Sequence, residues 1–133
     1  MKYLILILLS FTFTHLYGQQ MVKQDSVAVR VFNKGRYYIK KYVLTIDGKK
    51  YTFSDILKNK YSDYQKLPFI WTLNEYEITV VRKRFMQYDD WITQLSMPID
   101  KIGEKKITTG NATITIKAKR KSGKLILETS VEE

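Results

Sequence analysis

Cysteine is absent from this chain, and its one histidine, His15, lies near the N-terminus. No disulfide can form, and the cysteine-borne lipid of a bacterial lipoprotein is excluded. Beyond His15 there is neither imidazole nor thiol. That removes Ser-His and Cys-His nucleophilic sites, His or Cys metal sites, and the usual general base near neutral pH. Proline occurs only at Pro68 and Pro98, and glycine only six times. With no low-complexity run, long linker or fixed-period repeat, one folded unit is expected after the N-terminal segment.

Long apolar runs are scarce too, and the one present is at the start. Residues 1–18 carry the three parts of a cleaved secretion signal. Lys2 supplies the positive end. Tyr3 to Leu9, continuing through Phe11 and Phe13, is apolar and free of charge. Leu16-Tyr17-Gly18 brings a small residue before Gln19. From Tyr3 to Tyr17 is 15 residues, short of the roughly 20 that a spanning helix needs. Cleavage near Gln19 is therefore expected rather than a retained anchor, with no transmembrane span in the remainder. Residues 19–133 number 115, enough for a core without cross-links. Export without cysteine points to a periplasmic or extracellular bacterial setting.

Negative charge is in short supply. Removing residues 1–18 takes away Lys2 and leaves 22 basic against 13 acidic side chains, a formal net charge of +9. Outside the cytoplasm such a chain meets anionic glycans, lipid headgroups and acidic proteins before it meets nucleic acid.

What the sequence does have is period-two alternation. Val27, Val29 and Val31 alternate with Ala28, Arg30 and Phe32, the pattern of a half-buried strand. Asn33-Lys34-Gly35-Arg36 is turn chemistry, with Gly35 able to take positive φ. Tyr42, Leu44 and Ile46 share a strand face up to Asp47-Gly48, a two-residue hairpin signal. That turn pairs Ile46 with Lys49, Leu44 with Tyr51 and Tyr42 with Phe53, so the large apolar residues meet on one face. Residues 54–71 read as a partly extended crossing segment, and Pro68 argues against a central strand there. Tyr76, Ile78 and Val80 mark a strand running toward Phe85. Met86 to Asp90 reads as its turn, and Trp91 to Met97 as the returning strand. Residues 98–104 read as loop. Ala112, Ile114, Ile116 and Ala118 line another strand. Ser122-Gly123 turns the chain into a last one marked by Leu125, Ile126, Leu127 and Val131. About seven short strands predict an all-β fold, an immunoglobulin-like antiparallel β-sandwich, with a small β-barrel as the competing closure.

Three stretches carry a family resemblance: VLTIDGKKYTF at 43–53, YSDY at 61–64, and MPIDKIGE at 97–104 followed by GNAT at 110–113. They resemble a group of small, uncharacterised exported proteins of Gram-negative bacteria. The resemblance implies a β-sandwich carrying a signal or a lipid anchor, and it brings no activity and no functional residues. The missing cysteine departs from the lipidated members.

Carboxylates are the remaining route to catalysis. Asp89-Asp90 is an adjacent pair, and it reads as a solvated turn rather than an acid–base pair. Asp100 and Glu104 lack the spacing of a calcium loop, and Asp100 reads as a turn-bonding residue. No cofactor or metal is expected. Lys117, Lys119, Arg120, Lys121 and Lys124 form a basic stretch, read either as contact with an anionic glycan or lipid surface or, preferentially, as protection of an exposed sheet edge. Tyr37, Tyr38, Tyr88 and Trp91 are candidates for contact with a partner or glycan near strand ends, while Trp71 and Trp91 also fit a core role. The sequence thus points to an exported, non-enzymatic binding protein whose partner is an envelope protein. A carbohydrate-binding module using exposed aromatics is the alternative, and a carboxylate-only hydrolase is a distant third.

Overall fold

The computed structural model describes residues 25–84, 87–95 and 103–133, and for part of 83–95 the backbone alone. The expected export signal, the end of the returning strand past Leu95, and most of the 98–104 loop with Asp100 lie outside the described residues. Ten strands follow in order: β1 (Val27–Asn33), β2 (Tyr38–Ile46), β3 (Lys49–Ile56), β4 (Gln65–Leu67), β5 (Ile70–Trp71), β6 (Glu75–Arg84), β7 (Gln87–Leu95), β8 (Lys106–Ile107), β9 (Gly110–Lys121) and β10 (Lys124–Glu132). Among the described residues there is no helix, and so none long and apolar enough to cross a membrane.

Three sheets result, ordered β10-β9-β1-β4, β3-β2-β6-β7 and β5-β8. None closes on itself among the described residues. The two large sheets turn apolar faces into one cluster. Val29, Val31, Ile114 and Ile116 enter it from the first sheet, and Tyr42, Leu44, Phe53, Ile78 and Val80 from the second. Leu67, Ile70 and Ile107 join from the short strands. Each fully buried Val or Ile contributes about 1.5–3 kcal/mol relative to exposure. The alternation of buried and half-buried residues along β1 and the first part of β9 is the visible trace of that inner face.

The hairpin at Asp47-Gly48 has the expected register, Ile46 opposite Lys49, Leu44 opposite Tyr51 and Tyr42 opposite Phe53. Asp47 and Gly48 both have positive φ, 48° and 75°, as a type I′ turn requires. Ser122-Gly123 repeats the device at 53° and 78° between β9 and β10.

Several expectations need correction. The strands number ten among the described residues, because β4, β5 and β8 are too short to leave a periodic signal. The sheets are not wholly antiparallel: β1 runs parallel to β9, with Val29 opposite Ala112 and Val31 opposite Ile114. Alternation of side chains is identical in parallel and antiparallel ladders, so the sequence could not distinguish them. Of the expected turn from Met86 to Asp90, Gln87 to Asp90 are strand, and Met86 lies outside the described residues. β6 pairs with β7 out to Arg84 opposite Gln87, which places Tyr88, Asp89 and Asp90 within the ladder. Asp89 sits opposite Arg82 in that register. Gly35 is not used for positive φ; the role it has instead belongs to the site below.

Candidate functional site

The site begins with a break in alternation. Counting back from Ile46, Leu44 and Tyr42, strict period two would turn Lys40 and Tyr38 into the core. The register between β2 and β6 shifts instead between Ile39 and Lys41, leaving Lys40 as the extra residue of a bulge. Ile39 is buried in consequence, and Lys40 and Lys41 both face solvent. Tyr38 is thereby delivered to the outer face, opposite Val81, which in turn sits opposite Asp90.

That row of three residues lines a groove of about 680 Å³. Arg36, Tyr37, Lys40, Asp55 and Tyr88 complete its lining. Tyr88 is 70 % exposed. Tyr37 is half-buried and packs against the hydrophobic core. The Tyr38 hydroxyl donates to Asp55, and Lys40 Nζ lies 3.0 Å from Asp90 Oδ2. The Asp55 carboxylate, through that hydrogen bond first and through partial burial and its charge second, holds the Tyr38 phenol above the usual tyrosine range. Asp55 has φ 56°, a left-handed conformation uncommon outside glycine. Such backbone persists where surrounding structure holds it, and it clusters at binding sites.

A second cleft, about 490 Å³, adjoins the first, since Arg36 and Tyr37 line both. Its other cations come from separate parts of the chain: Lys34 before β2, Lys58 after β3, and Lys117, Lys119 and Arg120 on β9. Lys119 Nζ pairs with Glu128 Oε1 at 2.7 Å. That bond, aided by the charges of Lys119, Lys117 and Lys34 and opposed by burial, holds the Glu128 carboxyl below the usual range. Lys34, Arg36, Lys58, Lys117 and Arg120 make no ion pair among the described residues.

The wall between the two grooves is the connection from β1 to β2, and Asn33 holds it. Its side chain is buried; Nδ2 donates to the carbonyls of Tyr37 at 2.7 Å and Ile56 at 2.9 Å, and Oδ1 accepts from Gly35 N at 3.1 Å. Its backbone bonds residues 59 and 60 as well. Lys34 N then donates to Ile116 O at 2.9 Å, continuing the β1–β9 contact. Gly35 lies so close to β9 that a Cβ would stand 2.8 Å from Ala118 N and 3.1 Å from Ala118 O. Close approach of two backbones, not a left-handed turn, is what requires glycine here.

Of the sequence candidates, Tyr37, Tyr38 and Tyr88 are brought together, and the side chain of Trp91 lies outside the described residues. The basic stretch divides. Lys117, Lys119 and Arg120 line the second cleft, whereas Lys121 and Lys124 pair at the β9–β10 turn away from it. Edge protection fits Lys124 alone, because β10 is the edge strand and β9 lies inside the sheet. Trp71 is half-buried, edge-on to Phe69 with ring centroids 6.4 Å apart. Glu104 accepts a hydrogen bond from Thr72 and so fastens the chain before β8 to the end of β5. Asn33, Lys34, Arg36, Asp55 and Lys58 were not singled out by sequence; Asn33 had only its place in a turn motif to mark it.

A third feature lies on the outer face of the other large sheet. The guanidinium of Arg30 stands 3.8 Å from the centre of the Tyr61 ring and 4.9 Å from that of Tyr64, and Phe32 packs on Tyr61 at 4.5 Å. Compared with protein-family models, with curated proteins and with solved structures, the chain matches none.

Proposed function

We propose that this chain is an exported, non-enzymatic binding protein of the bacterial envelope, built as a β-sandwich of immunoglobulin-like type, and that its ligand is a carbohydrate held in the tyrosine groove. The observation that carries this reading is the convergence of Tyr37, Tyr38 and Tyr88 around one groove that Asp55 and Asp90 also line. Flat aromatic faces stack on sugar rings, and carboxylates accept hydrogen bonds from sugar hydroxyls. The sandwich reading is supported by two sheets sharing one apolar cluster. Export rests on the reading of residues 1–18, and the expectation that the protein is not a lipoprotein rests on the absence of cysteine.

Both carboxylates are exposed and each is engaged by a neighbour, Asp55 by Tyr38 and Asp90 by Lys40. Such a solvated pair positions a ligand more readily than it trades protons with one. Migration of the purified protein through gels containing neutral or acidic polysaccharides tests the reading. Retardation by a glycan, abolished in Tyr38→Ala, supports it; unchanged retardation in that variant overturns it.

The expected protein partner is kept as a second reading by the Arg30–Tyr61–Tyr64 patch. Tyrosine and arginine are enriched at protein interfaces, and Tyr61 and Tyr64 are 52 % and 47 % exposed.

A further inference from the structure

The tyrosine groove is not isolated. Arg36 and Tyr37 belong to it and to the basic cleft alike, so the two grooves adjoin on either side of the β1–β2 connection. The cleft gathers cations from the β1–β2 connection, the β3–β4 connection and β9, and Glu128 directly pairs only with Lys119. Lys34, Arg36, Lys58 and Arg120 are all exposed. A single exposed ion pair is worth little, so one isolated anion would be held weakly. A ligand repeating its negative charge along a chain engages several cations at once and gains from each without new ordering cost.

Resting on the carbohydrate reading of the tyrosine groove, we infer that the ligand is an acidic polysaccharide lying across both grooves. Its sugar rings stack on Tyr38 and Tyr88, and its carboxylate or sulfate groups face Arg36, Lys34, Lys58, Lys117 and Arg120. Two features bear on the choice of ligand. Two adjoining grooves do not match a flat lipid surface. A bidentate guanidinium fits the planar carboxylate of a uronate unit, and Arg36 stands where the two grooves meet.

The test is binding of alginate, a polyuronate, beside neutral dextran, a single-stranded oligonucleotide and anionic phosphatidylglycerol vesicles, measured by calorimetry or sedimentation at low and physiological salt. The triple variant Lys34→Gln, Lys58→Gln, Lys117→Gln alters only exposed or half-exposed side chains, and its thermal midpoint serves as the folding control. Wild type is expected to bind alginate more tightly than the other three. The triple variant should lose about tenfold, the product of three exposed contacts worth about twofold each. Binding should also weaken as salt rises. Dextran bound as well as alginate, or no loss in the triple variant, overturns the acidic-ligand inference and leaves the carbohydrate reading standing. Alginate binding unchanged in Tyr38→Ala overturns the tyrosine groove. Tighter binding of the oligonucleotide or the vesicles, or no binding to either glycan, overturns both.

Discussion

Lys40, the extra residue of a bulge between β2 and β6, places its Nζ 3.0 Å from Asp90 Oδ2 on β7, two strands away. The bulge is what turns Lys40 outward, so the ion pair is a consequence of the register shift and not its cause. Both side chains are about half exposed, 55 % and 44 %. A double-mutant cycle on Lys40→Ala and Asp90→Ala should therefore give a coupling below about 1 kcal/mol. A coupling of several kcal/mol would mean that the pair, and not the packing of Ile39, holds the bulge in place.

Asn33 carries more. Asn33→Ala strips two donated bonds and one accepted bond from a buried position and strands the carbonyls of Tyr37 and Ile56. A loss of about 2–4 kcal/mol in unfolding free energy is expected from urea denaturation. Loss of less than 1 kcal/mol would show that the wall between the grooves is held by the Lys34–Ile116 contact instead.

Two glycines should fail for different reasons. Gly48 has φ 75° and nothing within 4 Å of an added Cβ. Gly48→Val then costs backbone strain alone, at least about 1 kcal/mol, with the rest of the fold unmoved. Gly35→Ala meets the Ala118 backbone at 2.8 Å and should cost about 1–3 kcal/mol by pushing the β1–β2 connection off β9. The distinguishing measurement is amide exchange around Lys117 to Arg120, which should rise in Gly35→Ala and stay as in wild type in Gly48→Val.

Alkaline pH should weaken the fold through Tyr42. Burial first, and the neighbouring Tyr76 charge second, raise its phenol far above the usual tyrosine range. The neutral form is the one the fold retains, so this stability is intact below the unfolded value near pH 10 and drains away as pH rises beyond it. The loss should approach about 1.4 kcal/mol per pH unit above 10. Tyr42→Phe keeps the ring that packs 6.3 Å from Phe53 and 5.4 Å from Tyr76, and should remove this slope. Equal slopes between pH 10 and 11 for variant and wild type would count against the assignment.

These residues also mark how far the sequence could be read. The β2–β3 hairpin was legible because Asp47-Gly48 fixes both the turn and the pairing of Leu44 with Tyr51, so local chemistry and apolar pattern agree. The bulge at Lys40 was not, since inserting one residue shifts the phase of alternation without leaving a signature of its own. Asp89-Asp90 misled because aspartate is scarce in strands, and the pairing of β7 with β6 that makes them strand is not a local feature of the sequence. The three tyrosines could be named as candidates one at a time from their place near strand ends. Their meeting in one groove depends on β2, β6 and β7 being neighbours, in the order β3-β2-β6-β7. The basic cleft was half visible, as the Lys117 to Lys121 run. Lys34, Arg36 and Lys58 are ordinary surface cations in the sequence; Lys34 and Arg36 join it because Gly35 lets the β1–β2 connection lie on β9, and Lys58 lies beside residues 59 and 60, which the Asn33 backbone bonds.

The most direct measurement is a map of where a glycan touches the protein: amide chemical-shift changes on adding alginate oligosaccharides to the isotopically labelled chain. Changes are expected to concentrate at Arg36, Tyr37, Tyr38 and Asp90 and to extend along β9 to Lys117 and Arg120, with Arg30 on β1 and its neighbours Tyr61 and Tyr64 unmoved. Changes centred on Arg30, Tyr61 and Tyr64, or none at either place at saturating oligosaccharide, would contradict it.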